Sequence, residues 1–354
     1  MDGTPRTLLE DVTYFSDLDR AHAYAVKLRW PNGIACPRKG CGNADVQFIK
    51  TRKLWRCKEC KRQFTAKVGT IFEDSPIPFT KWLPAICFLA NTKNGTSSYE
   101  LGRAIGVTQK TAWFMFHRIR LAMKETSAPA LSGEVEVDET FVGGKTRATK
   151  VNVLGMRKLA HGPATGKVTV LGMIQRGVRE VGTRSRVRAM VAPNHKASSL
   201  IPRIYSNVLP GSVLYTDALR SYRQTDRDYT HKFIDHSLRY VEGRVHTNNI
   251  ENFWACLKRT LHGTYIAPRA FHLEAYVDEQ VFRFNKRGGN DGGRFVKVLK
   301  GADGRRVTYE KLTKSHGLWR LKPGRAARAM TREASLRVYR RATHRRLPRR
   351  FLRL

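Results

Sequence analysis

The spacing of apolar residues changes several times along this 354-residue chain, and the changes divide it. Over FSDLDRAHAYAVKLRW the apolar positions recur at helical spacing, with Ser16 or Asp17 placed to cap, so residues 1–30 form an N-terminal helical segment. Residues 31–72 lose that period and become short, turn-rich and cysteine-bearing. Pro76 and Pro78 mark a linker. Helical spacing returns over residues 76–127. There TSSYELGRAIGVTQKTAWFMFHRIRLAM reads as a helix, a turn at Gly106 and a second helix from about Thr108, the outline of a helix-turn-helix. Ser97 or Ser98 caps the first helix and Thr108 the second. Leu101, Ala104 and Ile105 form the apolar face of the first; Trp113, Phe116, Ile119 and Leu121 pack the second.

From residue 132 to 290 strands and helices alternate. The pattern predicts strands at 134–142, 167–175, 182–192, 212–216 and 229–235, and helices at 196–207, 248–261 and 270–284, an α/β order. Residues 291–354 turn glycine-rich and polar, then basic: from Leu318 to Leu354 there are thirteen arginines and lysines against one acid, Glu333. No internal repeat is visible.

Charge narrows the function more than the fold. Sixty-six basic residues against 29 acidic ones leave +37, which points to a polyanionic partner, since each neutralised phosphate releases a counterion. At 41% hydrophobic residues the chain can bury a core. Its longest apolar run, WLPAICFLA, is too short to cross a bilayer, and the first fifteen residues lack the pattern of a secretory signal, so no membrane partner is expected. Cys87 and Cys256 stand alone in apolar contexts and suit a reducing, cytoplasmic setting.

The other four cysteines form two pairs. CPRKGC supplies Cys36 and Cys41, CKEC supplies Cys57 and Cys60, and fifteen residues lie between them. Two close pairs a hairpin apart are what a structural, tetrahedral Zn²⁺ site requires, and the metal would hold together a segment too small for its own core. Basic residues around them, with Trp55, read either as a nucleic-acid face or as a solvated hairpin. On the second helix of the 76–127 segment, Gln109, Lys110 and Thr111 stand where base edges would be met; an ordinary helical hairpin is the alternative.

Three acids sit at the edges of predicted elements. Alternation in GEVEVDETF puts Glu134, Glu136 and Asp138 on one strand face and Val135 and Val137 on the other. Asp217 ends SVLYTD. In HTNNIENFWACLKR, Glu251 and Lys258 are seven residues, about two turns, apart on one helix face. Each acid has an ordinary reading: a solvated edge strand, a helix cap, and a capping box from Asn248 to Glu251. Their order is nevertheless the order an RNase H-like sheet needs: an acid on the first strand, one ending the fourth, one on a following helix. Carboxylates are hard ligands suited to Mg²⁺.

These residues resemble the bacterial insertion-sequence transposases that carry an amino-terminal zinc ribbon ahead of a DDE domain. The resemblance runs from about Phe15 to Arg287 through LRWPNGIACP, GTIFEDSPIPFTKWL, SSYELGRAIGVTQKTAWFMFHRIR, VEVDETFVGGK, VLYTDALRSY and VHTNNIENFWACLKR, then GTY and FRFNKR. It implies an α/β multidomain chain whose catalytic domain is an RNase H-like mixed sheet of the DDE integrase type. It implies two Mg²⁺ (or Mn²⁺) ions per active site held by Asp138, Asp217 and Glu251, with Asn248 or Asn249 as alternatives for the third position. Lys258 and Arg259 would contact DNA near the cut. The implied partners are double-stranded DNA, as terminal inverted repeats and target, and a second copy of the chain in the synaptic complex. The implied activity is 3′-end cleavage and strand transfer at the bacterial nucleoid. A catalytically inactive zinc-ribbon DNA-binding protein and an RNase H-fold nuclease are the competing readings. His231, His236 and His246 either help to position DNA or are buried, hydrogen-bonded histidines. The arginine-rich tail beyond about Gly301 lies outside the resemblance and reads as an extra DNA-binding arm or an altered terminus.

Overall fold

The computed structural model describes residues 8–143, 167–178, 180, 182–217, 225, 227–234, 246–266 and 268–313. His236 and the arginine-rich tail lie outside them. The described chain forms two compact units. One combines the residues up to 126 with those from 256 onward; the other spans 127–255.

The first unit opens with two helices, α1 (Leu8–Phe15) and α2 (Leu18–Arg29), rather than one continuous segment. The break falls where Asp17 turns its side chain back to accept the Arg20 amide at 2.7 Å, capping α2. Next comes an antiparallel sheet of three short strands: β1 (Val46–Ile49), β2 (Leu54–Cys57) and β3 (Gln63–Phe64). Trp55 in β2 is buried, stacked between His22 and Phe64, so it is a core residue and not part of a nucleic-acid face. Helix α3 (Phe79–Asn91) runs through the middle of this unit's core, with Trp82, Leu83 and Ile86 almost wholly buried.

Helix α4 (Ser98–Ile105) starts in a complete capping box between Ser97 and Glu100. It stops at Gly106, whose φ of 62° is one a side-chain-bearing residue would resist. Helix α5 (Gln109–Met123) follows, capped by Thr108. Leu101 is buried and Ile105 half-buried as their spacing suggests, but Ala104 is exposed, so the apolar face of α4 is narrower than expected.

The C-terminal helices α8 (Leu273–Asn285) and α9 (Asp291–Lys300) pack on α5 and α3. A buried ion cluster ties α5 to α8. Arg120, 1% exposed, donates from Nε to Oε2 of Glu279 at 2.5 Å; Arg283 pairs with the same carboxylate, and the Tyr265 hydroxyl donates to it at 2.5 Å. Burial opposes the charge on Glu279, but Arg283 and Arg120 outweigh it and hold its pKa below the usual carboxylate value. Such a depressed group adds stability above the unfolded-chain pKa and loses it as pH falls through the folded value. Glu279→Gln should strand two buried guanidinium groups and cost about 3–5 kcal/mol, read from urea unfolding at neutral pH. A loss under about 1 kcal/mol would show that water reaches the cluster.

The second unit is built on a five-stranded mixed sheet. Its strands are β4 (Glu134–Val142), β5 (Val168–Gln175), β6 (Arg186–Ala192), β7 (Val213–Asp217) and β8 (Thr230–Ile234), in the order β6-β5-β4-β7-β8. The first three run antiparallel as a meander; β7 lies parallel to β4 and β8 parallel to β7. The third strand begins later than its pattern suggested: its ladder with β5 starts at Arg186, and Thr183 ahead of it bonds Val178. Helix α6 (Ala197–Asn207) packs Leu200 and Ile204 among Val135, Val137, Leu171 and Leu214. Strand β4, which carries Glu134, Glu136 and Asp138, is therefore central, not an edge strand. Its other face meets the start of helix α7 (Asn248–Gly263).

Candidate functional site

The cysteine site forms where two turns face each other. Cys36 and Cys41 lie in the loop before β1, closed by the Cys36 amide on Asn43 and the Cys41 amide on Arg38; Cys57 ends β2 and Cys60 follows in its turn. Gly40 and Gly42, both at positive φ, let the loop carry the wider first spacing of the two pairs. Cys36 and Cys60 approach to 3.8 Å and Cys41 and Cys57 to 3.6 Å, with all four sulfurs within 4.8 Å of one another. The backbone amide at Cys60 favours the Cys57 thiolate and holds its pKa at about 7. Four unbridged sulfur donors converging on one point fit zinc by number and by softness.

The acids are arranged more loosely. Asp138 lies in the middle of β4, and its Oδ2 accepts the indole N–H of Trp254 at 2.8 Å. Burial pushes its pKa up to about 6 against the effect of that hydrogen bond, and the charges of Asp217 and Glu251 push the same way. Asp217 ends β7, the parallel neighbour of β4, and Glu251 lies in the first turn of α7, which is bonded to β4 at Glu136 and Asp138. Glu251 is exposed and accepts the Thr247 hydroxyl at 2.8 Å. The three acids do not meet as tightly as the cysteines, which among the described residues are the only set of three or more such side chains with every ligand atom within 4.8 Å. Oxygen donors whose mutual repulsion already raises one of them are a donor set that a divalent cation would relieve.

Sequence comparison assigns the chain to a family. Residues 17–63 match the family model described as a transposase zinc-ribbon domain, and residues 130–285 match the ISXO2-like transposase domain. A transposase-like protein of Haemophilus influenzae is 37% identical over 103 residues, covering 29% of this chain and 83% of the relative. A protein of the transposable element ISH50 in Halobacterium salinarum is 29% identical over 267 residues, covering 70% of this chain and 84% of the relative. The chain belongs to this family of insertion-sequence transposases.

In this transposase-family chain the residues expected to read DNA are already engaged. Gln109 donates to the Ser98 hydroxyl at 2.8 Å, Thr111 shares a hydrogen bond with Thr108 at 2.9 Å, and the Lys110 ammonium stands 5.0 Å above the Tyr309 ring. Tyr309 begins a one-turn helix, α10 (Tyr309–Thr313). Lys258 and Arg259 are exposed on α7. Within that helix Glu251, Ala255, Lys258 and Arg259 are exposed, whereas Ile250, Phe253, Trp254, Leu257 and Leu261 are buried, so the seven-residue spacing does put Glu251 and Lys258 on the polar side. His231 pairs with Thr216 at 2.8 Å, and His246 with Arg176. Helix α7 begins at Asn248 itself, so Asn248 is its first residue rather than the cap; Glu251 accepts the Thr247 hydroxyl, and the Asn249 side chain donates to Glu136.

Two partners of the acids were not foreseen. Trp254 is one. The other is Gly172, which pairs with Asp138 across β4 and β5. A Cβ there would lie 2.5 Å from the Trp254 ring and 2.9 Å from Ile250, so only glycine lets the indole come down onto the sheet beside Asp138. A glycine inside an apolar strand was the available signal. Gly172→Ala should lift Trp254 off Asp138 and cost about 1–3 kcal/mol, read as a lower thermal midpoint. An unchanged midpoint would mean the helix shifts without penalty.

No helix among the described residues is long and apolar enough to cross a membrane.

Proposed function

We propose that this protein is the DNA transposase of an insertion sequence: it binds terminal inverted repeats, cleaves to free a 3′ end and transfers that end to target DNA. The observation that carries this reading is that β7, which ends in Asp217, runs parallel beside the strand of Asp138, while α7, whose first turn bears Glu251, is bonded to that same strand at Glu136 and Asp138, inside the family's transposase domain. The strand order supports an RNase H-like core: three antiparallel strands, then two parallel ones added beside the first. The tight turn at Gly106 and the capped start of α5 support a helix-turn-helix.

Asp138, Asp217 and Glu251 would hold the divalent cations, and the four cysteines a structural zinc. Magnesium, or manganese in its place, supplies Lewis-acid stabilisation of the charge that develops on a phosphodiester. Trp254 orients Asp138 by taking one of its oxygens. Glu251 is favoured over Asn249 as the third ligand, because the Asn249 side chain is turned to Glu136, to which its amide nitrogen donates at 2.6 Å, and a neutral amide offsets no cation charge. It is favoured over Asn248 because a carboxylate offsets cation charge and a neutral amide does not. Lys258 and Arg259 would neutralise phosphates beside the cut. The freed 3′-hydroxyl attacks a target phosphodiester in line and displaces the target's own 3′-oxygen, so no covalent protein intermediate is required. Two element ends must be joined, so we expect a second copy in the complex. The site of action is the bacterial cytoplasm, at the nucleoid.

The test is a labelled duplex carrying the element's own terminal repeat, incubated with the protein and Mg²⁺. A magnesium-dependent nick at the element boundary, followed by joining of a pre-nicked end to target DNA, is the expected result. Cutting without joining would indicate a nuclease, and binding without cutting a DNA-binding protein only.

A further inference from the structure

Glu136 lies two residues before Asp138 on the same strand face, yet it is not placed as a ligand. It is 0% exposed, and its oxygens accept four hydrogen bonds. Oε1 takes Arg176 Nε at 2.7 Å and the Asn249 side-chain amide at 2.6 Å; Oε2 takes the backbone amides of Asn249 and Ile250, each at 3.0 Å. A carboxylate with both oxygens so occupied has little left to offer a cation.

Those two amides belong to the first turn of α7. They have no acceptor within the helix, and a cap residue normally serves them. The Thr247 hydroxyl donates to Glu251, and both amides bond Glu136. The cap is thus supplied from a strand more than a hundred residues earlier, and it is anionic, the sign favoured at a helix N-terminus. Arg176 keeps that charge in place: it bonds Glu136, reaches Glu134 at 3.4 Å, donates to the His246 carbonyl at 2.8 Å and stacks 4.1 Å over Tyr215. Glu251 is the residue immediately after the two capped amides.

We propose that Glu136, braced by Arg176, is a positioning residue that clamps the first turn of α7 to the central strand and so sets where Glu251 stands relative to Asp138. The inference rests on reading Glu251 as a catalytic acid. Trp254 on Asp138 holds the same helix one turn further on, so the helix is pinned at two points on one strand.

The experiment compares the full-length wild type with Glu136→Gln by hydrogen exchange at single-amide resolution and by calorimetric Mn²⁺ titration, alongside cleavage of the terminal repeat. The wild-type amides of Asn249 and Ile250 should exchange slowly, unlike ordinary first-turn amides. In Glu136→Gln they should exchange faster, Mn²⁺ affinity and cleavage should fall about 10- to 100-fold, and repeat binding should be unchanged. Fast exchange in the wild type would overturn the clamp. Faster exchange in the variant with unaltered Mn²⁺ affinity would overturn its role in placing Glu251. If Glu136→Gln does not fold, Asn249→Ala removes one donor and leaves the Arg176 pair; it should weaken Mn²⁺ binding in the same direction, and unchanged binding would count against the proposal. If the wild type cuts no DNA at all, the transposase reading falls, while exchange and Mn²⁺ affinity still decide the clamp.

Discussion

Glu251→Gln is expected to abolish cleavage of the terminal repeat, by at least about 10³-fold, while leaving repeat binding intact. Losing a partner of a metal ligand typically costs about 10- to 100-fold, so losing the ligand's charge itself should cost more. The substitution is conservative for the fold. The side chain is exposed, its amide oxygen can still accept the Thr247 hydroxyl, and the helix start forfeits only the ~0.3–1 kcal/mol that an acid contributes there. Asp138→Asn should be equally inactive but differ in stability. Burial, Asp217 and Glu251 all raise the Asp138 pKa to about 6, so the folded state binds a proton more tightly than the unfolded chain does. Metal-free stability should then fall as pH rises through roughly 4 to 6. Asn at 138 removes that penalty, and the metal-free variant should be more stable at neutral pH by about 1–3 kcal/mol. Denaturation with and without Mg²⁺, beside a strand-cleavage gel, checks both halves. Cleavage that survives Glu251→Gln would transfer the third role to Asn248 or Asn249.

Removing zinc should unfold the ribbon and loosen the core beneath it. The three strands span four, four and two residues, too few to stand alone. In zinc-finger peptides the metal contributes about 10–16 kcal/mol at neutral pH. Here the ribbon is also part of a larger core, since Cys57, Trp55 and Phe64 cluster with Phe15, Trp82 and Phe295. Chelation, or Cys57→Ser, should therefore expose Trp55 and lower the thermal midpoint of the whole first unit rather than release the ribbon alone. Metal analysis should find one zinc per chain in the wild type and none in the variant. A wild type that holds no zinc, with tryptophan emission indifferent to chelator, would refute the assignment.

What could be read in the sequence was what local chemistry specifies. Alternation located β4 to the residue, because side chains on a strand change face at every step. Ser97, Thr108 and Asp17 could be recognised as caps because a capping side chain bonds amides two or three residues away. The cysteine pairs were legible because a tetrahedral site limits the loop between its ligands. The order of Asp138, Asp217 and Glu251 stood out because the periods of their elements are visible, although Asp138 falls in the middle of its strand while Asp217 ends one and Glu251 lies in the first turn of a helix.

What only the tertiary structure decided were the partners, which sequence spacing does not encode. Alternation put Glu136 on the face of Asp138, but a buried face and a solvated face have the same period. Only α7, arriving more than a hundred residues later, turned Glu136 into a helix cap. Arg120 in α5 reads locally as a solvated basic residue; it is buried because Glu279, 159 residues on, brings the opposite charge into the core. Gly172 looks like a weak point in an apolar strand until Trp254 is seen to need its missing side chain. Periodicity records which way a side chain points. What it meets there depends on closing long loops around a shared core, and that is settled by packing.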